Sequence, residues 1–296
     1  MIFEHEIPDG SKLYFGESAK KKRQIEKIAS DILYAEGFDE IVTPLFSYHQ
    51  HLSISDERKL VRVNDKQNHK MTLRADSTID VVHIIDKRLG RNTSHKKWFY
   101  IQPVFRYPST ERYQVGAEFL GESSLSRVMS SAMNIFKALG LQPLVQISNM
   151  RIPMILCEMF DLTLDDFRHI NIEKMLNLKV EWLSKLVYLQ YFEEIDEVIE
   201  LVPESIKVEL LKMKELCGEL TCKNTVLSPL YYASMLYYDE LYFRVIEKNE
   251  VFANGGRYKN DELTSVGFAI YTDNLIETLI REIYQRQKNH PILNGR

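Results

Sequence analysis

Three β-type runs follow one another near the end of the chain, at residues 240–246, 251–258 and 265–270, and the last leads into a helical period over 273–287. Short apolar runs at this spacing predict adjacent antiparallel strands with a helix laid back against them. Gly255-Gly256 reads as a turn between β-rich runs, a place where backbone or ligand comes close because there is no Cβ. By itself a Gly-Gly-Arg-Tyr string is a common structural turn. Its meaning depends on what the rest of the chain brings to it.

At 296 residues the chain is long enough to bury a sizeable core, as one large domain or a domain with an insertion. Its 45% hydrophobic and 27% charged residues are ordinary for a globular protein. No run reaches the roughly 18 apolar residues of a membrane span, and the acidic start lacks the pattern of a signal peptide. The expectation is a cytoplasmic protein with no membrane contact. Cys157, Cys217 and Cys222 are odd in number and lack zinc spacing, so free thiols are expected and no metal. A net charge of −4 argues against a dominant polyanion-binding role, and Lys20-Lys21-Lys22-Arg23 reads as the solvated face of a helix.

Residues 18–35 carry an amphipathic helical stripe of Ile25, Ile28, Ala29, Ile32 and Leu33, stopped by Gly37. A short strand over 39–43 ends at Pro44, a hairpin follows over 60–63 and 70–73, and a helix over 77–88. Long β-type runs at 97–107 and 113–120 bracket a polar segment, before a helix over 123–139, a strand over 144–147 and a helix over 153–160. From 161 to 222 the pattern is helical with almost no strand signal, and strands resume at Tyr231. The organisation expected is an α+β core of residues 1–160 and 223–296, interrupted by a helical insertion at 161–222.

Four segments stand in a telling order: Gly37-Phe38-Asp39-Glu40-Ile41-Val42-Thr43-Pro44, Met71-Thr72-Leu73-Arg74-Ala75-Asp76-Ser77-Thr78, Phe105-Arg106-Tyr107 with Tyr113-Gln114-Val115-Gly116-Ala117-Glu118, and Tyr237-Tyr238 with Gly255-Gly256-Arg257-Tyr258. Together they resemble the catalytic core of the class II aminoacyl-tRNA synthetases, of the histidyl type, over nearly the whole chain. The resemblance implies an antiparallel sheet flanked by helices and a homodimer formed through residues 37–44. It also implies a histidine pocket. Glu118, Gln114 and Asp76 stand where the family holds the substrate's α-ammonium, a cation that wants charged acceptors on several sides. Tyr237 and Tyr238 stand where the family contacts the imidazole, over Gly255 and Gly256. Arg106 and Arg257 are residual candidates for an anion contact. Read without the family, Glu118 and Asp76 could equally pair with Arg74 or Arg112, and the tyrosines could be ordinary strand aromatics.

The catalytic residues of that family do not persist. Asn274 stands where an arginine clamps the ATP phosphates, Tyr271 where a glycine floors the ATP site, and Ala233 where a second catalytic arginine belongs. Such clamps are worth about 10³-fold or more in phosphoryl chemistry. No catalytic residue and no cofactor are therefore expected. Little chain follows the last motif, so no tRNA-binding domain is expected. A synthetase core with these losses is similar to the regulatory subunits of ATP phosphoribosyltransferase. That resemblance implies a non-catalytic chain that joins a short-form catalytic subunit in a hetero-octamer, activates it and transmits feedback inhibition by histidine. Two alternatives stay open: a synthetase-like amino-acid-binding protein outside histidine biosynthesis, and a divergent AMP-forming ligase.

Overall fold

The structure is a computed structural model describing residues 6–289 apart from 51–53, 55, 91, 221–223, 234, 236 and 261–262. Its first helix, α1 (Gly16–Ala35), buries Ile25, Ala29 and Leu33 along one stripe. After it come β1 (Asp39–Glu40) and β2 (Phe46–Ser47), then the hairpin β3 (Arg62–Asn64) and β4 (Lys70–Leu73). Next are α2 (Ser77–Ile84), continued by a π-helical turn over Ile85–Leu89, and the long strands β5 (Lys97–Arg106) and β6 (Thr110–Leu120). Helix α3 (Leu125–Ala138), strand β7 (Leu144–Asn149) and helix α4 (Arg151–Met159) follow.

Among the described residues between α4 and the next strand the regular elements are helices: α5 (Leu164–Arg168), α6 (Ile172–Leu176), α7 (Glu181–Tyr188), α8 (Ile195–Leu201) and α9 (Glu204–Glu219). Their buried side chains, from Phe167 to Leu216, join the same contiguous core as Val145 and Ile147 of β7. The chain then returns through β8 (Thr225–Leu227), β9 (Tyr238–Glu247), β10 (Glu250–Asn260), β11 (Leu263–Tyr271) and α10 (Thr272–Asn289).

Eight strands form the main sheet in the order β1-β5-β6-β11-β10-β9-β7-β8, and β2-β4-β3 form a small second one. The central pairings are antiparallel, as expected. The two outermost, β1 with β5 and β7 with β8, are parallel, so the sheet is mixed. The strand expected over 39–43 keeps only Asp39 and Glu40. Strands resume at Thr225 rather than Tyr231, because three residues of β8 are too few to show a period.

The Gly255-Gly256 pair is not a turn. It lies inside β10, where Gly255 faces Phe243 and Phe268 while Gly256 faces Gly267 and Tyr242 across the two ladders. The hairpin actually turns at Lys248, whose φ is +54°. A Cβ on Gly255 would strike the Phe243 ring and the carbonyl of Gly267, and one on Gly256 would strike the Tyr238 ring. The glycines admit neighbours on both sides of a strand, which in sequence looks the same as a turn signal.

Sheet alternation separates two environments. On β6, Val115 and Ala117 join an aliphatic core with α1 and α3. The opposite side of the sheet carries a second core rich in tyrosine, with Tyr100, Tyr238, Tyr242 and Tyr258 packed near Val81 and Val82 of α2. Among the described residues no helix is long and apolar enough to cross a membrane. Cys157 and Cys217 are free thiols, while Cys222 lies outside the described residues.

Candidate functional site

Gln114, Gly116 and Glu118 alternate along β6 onto the tyrosine-rich side of the sheet. Glu118 is wholly buried. Its Oε1 accepts from the Thr78 hydroxyl at 2.7 Å and from Tyr100 at 3.3 Å, and its Oε2 accepts from Tyr258 at 2.8 Å. The carboxylate lies directly over Gly267 of β11, where any Cβ would land on Oε2. Neither Arg74 nor Arg112 touches it, and among the described residues no cationic side chain does. Burial pushes the Glu118 carboxyl up to about 8, with nearby Asp76 adding repulsion and the hydroxyl donors pulling the other way.

Asp76 caps α2, accepting from the Ile79 N–H at 3.1 Å, and its other oxygen accepts from the Tyr237 hydroxyl at 3.2 Å. Burial raises its carboxyl too, while the cap bond and the Arg106 charge oppose the rise. Gln50, fully buried, fixes the backbone beneath: its Oε1 accepts from Ala75 N–H at 2.8 Å and Asp76 N–H at 2.5 Å, and its Nε2 donates to the Asp76 carbonyl at 3.0 Å. Arg74 is also buried, yet it has carbonyl partners instead of carboxylates. It donates to Pro103 O at 2.8 and 3.0 Å, Thr43 O at 2.9 Å and Pro44 O at 3.1 Å.

Tyr237 and Tyr238 close one side, their ring centroids 4.6 Å apart, and Tyr237 meets Tyr258 edge-on at 5.9 Å. The structure thus brings Asp76, Glu118, Tyr237 and Tyr238 together, with Gln114 buried on the same strand face and Gly256 under the Tyr238 ring. Gly255 packs toward the other core. Arg257 is not brought in: its Nε lies 3.2 Å from Asp239 and 2.7 Å from Glu240. Arg106 donates to the Ala75 carbonyl and faces an adjoining cleft of about 450 Å³. Thr78, Tyr100, Gln50 and Gly267 are components that sequence reasoning did not single out. Only Thr78 carried a signal, its place in the segment with Asp76.

In the adjoining cleft, Tyr271 occupies the wall together with Ala233. Asn274 gives its side-chain N–H to the Val251 carbonyl at 2.8 Å. No arginine comes from either of these positions.

A family profile described as histidyl-tRNA synthetase matches residues 14–275. A Wolinella succinogenes protein named ATP phosphoribosyltransferase regulatory subunit is 46% identical over 281 residues, covering 95% of this chain and 98% of its own. The chain belongs to that regulatory-subunit family. A Helicobacter hepaticus protein of the same name is 41% identical over 95% of this chain and 100% of its own. In structure, a Bacillus halodurans protein described as an ATP phosphoribosyltransferase regulatory subunit/histidyl-tRNA synthetase superposes with a TM-score of 0.84 at 21% identity, over 94% of this chain and 84% of that one. That likeness shows the shared class II synthetase-like fold. The regulatory-subunit family is the non-catalytic side of this synthetase-like group, and the replacement of arginine at 233 and 274 agrees with membership in it.

Proposed function

We propose that this chain activates a short-form ATP phosphoribosyltransferase catalytic subunit and reports free histidine to it, so that the end product restrains the pathway. The observation that carries the ligand reading is Glu118: a buried carboxylate with three hydroxyl donors, a second carboxylate nearby and, among the described residues, no cation bonded to it. An amino acid's α-ammonium is the missing counter-charge. Burial makes such a pairing count for more than at the surface, because without a cation beside it the buried carboxyl keeps its proton instead of its charge. Asp76, Glu118 and Gln114 surround the ammonium in this reading, and Tyr237 and Tyr238 flank the imidazole.

The chain further pairs with a second copy through residues 37–44 and joins the catalytic chains in a hetero-octamer, in the cytoplasm and without tRNA. Val42 is 78% exposed, just after the edge strand β1 of the main sheet, and Phe46, 53% exposed, follows it on β2 of the small sheet. Such a patch favours a contact.

The test mixes the chain with a short-form phosphoribosyltransferase and titrates histidine. The chain should raise the catalytic rate, and histidine should lower it again about 5- to 150-fold, the range of typical coupling energies. Glu118→Gln should still activate while losing the histidine response. A catalytic rate that is indifferent to the chain overturns the regulatory reading. Activation with no histidine effect overturns the ligand reading alone.

A further inference from the structure

Several described arginines outside the lining of the cleft beside the tyrosine pocket make ion pairs: Arg23 with Glu26, Arg62 with Glu57, Arg127 with Glu122 and Arg281 with Glu277. The cleft itself is lined by Arg106, Arg112 and Arg244, and none of these has a carboxylate partner among the described residues. Arg106 gives a hydrogen bond to a backbone carbonyl and stands close enough to Arg112 for the two charges to repel, with Asp76 behind it. Arg244 donates to neutral Gln146 at 3.3 Å and lies over the Tyr231 ring at 4.7 Å. Among the described residues the one carboxylate lining the cleft, Asp56, is already held by the Arg58 guanidinium at 2.8 Å, and Lys59 adds another cation to the rim. In a chain of net charge −4, positive charge without counter-charge is gathered on one concave surface. Three guanidiniums on three different strands, β5, β6 and β9, make a rigid frame for an anion with several acceptor oxygens.

We infer that this cleft binds a small phosphorylated anion, a phosphate or pyrophosphate group on a compact molecule, as a second ligand separate from the amino-acid pocket. The volume of about 450 Å³ is in the range of small-molecule sites. Tyr231, stacked on Tyr242 at 5.7 Å with a 13° interplanar angle, gives the bound molecule a flat aromatic wall beside the Arg244 cation. The geometry does not rebuild the synthetase's ATP site. Tyr271 fills part of its wall, Asn274 is engaged with a backbone carbonyl, and Arg112 and Arg244 come from other positions than the arginines the synthetase resemblance expects.

Calorimetry of the full chain with inorganic phosphate, pyrophosphate, adenosine monophosphate and ribose 5-phosphate, each up to ~10 mM, tests this against the usual metabolite range. At least one should bind saturably, more weakly as salt rises, and the best of them shows which molecular body the cleft accepts. Arg112 is exposed and its side chain makes no hydrogen bond among the described residues, so Arg112→Ala should fold normally; Arg244→Gln keeps a donor for Gln146. Each should weaken binding about tenfold or more, the loss of one charge-assisted bond. Arg127→Ala, remote from the cleft, should change nothing, and histidine binding should survive Arg112→Ala. No saturable binding by any of the four anions overturns the inference. So does equal affinity in wild type and the Arg112→Ala, Arg244→Gln double variant, which marks nonspecific charge attraction only.

Discussion

Glu118 couples the pocket to pH. Burial holds its carboxyl near 8, and Asp76 is raised in the same direction by the same cause. Between the ordinary carboxylate range and about 8, the folded chain keeps a proton that the unfolded chain has already released. The contribution to stability is therefore full in acid and is lost as pH rises through that window. Denaturant unfolding of the ligand-free chain should show stability falling between about pH 5 and pH 8 by up to about 1.4 kcal/mol per unit from this one group. Glu118→Gln, which cannot ionise, should flatten the slope, and an unchanged slope would place the titration elsewhere. The grouping of Glu118, Gln114 and Asp76 was legible only through the synthetase resemblance, which assigns all three to one pocket; the residues alone left Arg74 or Arg112 open as partners. Glu118's donor Tyr100, and the Gln50 that fixes the backbone of Asp76, were not: they arrive from distant segments, and a tyrosine in a strand or a glutamine in a loop carries no local mark of its role.

Among the elements, the long strands and α1, α3 and α10 could be read from periodicity, since each buries an apolar stripe over many residues. The failures have physical reasons. Gly255-Gly256 satisfied the local signature of a turn because a strand crowded on both faces also demands the absence of Cβ. β8 is too short for a period, and its place depends on pairing with β7. The helices α5–α9 were expected as an insertion at 161–222, and we propose that this segment is an insertion only in chain order. Leu183, Leu186, Ile206 and Met213 are buried in the one core that also holds Phe136 and Val145. A fragment limited to 161–222 should therefore show no cooperative thermal transition by circular dichroism, since a helical stretch deprived of its packing partners is marginal in water. A sharp transition in the isolated fragment would mark an independent domain.

At the scale of the whole molecule, the proposed self-association places Val42 and Phe46 against a second copy, in an interface burying more than about 1,000 Å². Introducing charge there, as Val42→Asp with Phe46→Glu, should raise the dimer dissociation constant roughly thirtyfold or more, read by sedimentation equilibrium. A native chain that sediments as a monomer at all concentrations would exclude the contact. The fourfold grip of Arg74 on the carbonyls of Thr43, Pro44 and Pro103 gives this contact a wider meaning. Arg74 is the residue before Ala75 and Asp76, and its head is fastened to the segment that would face the other copy. One guanidinium is thus a strut between the floor of one binding site and the seam of the pair. If the chain pairs and binds as proposed, a shift of Asp76 toward an ammonium would pull on that strut, and because a seam is common property the other half would feel that pull along its own edge.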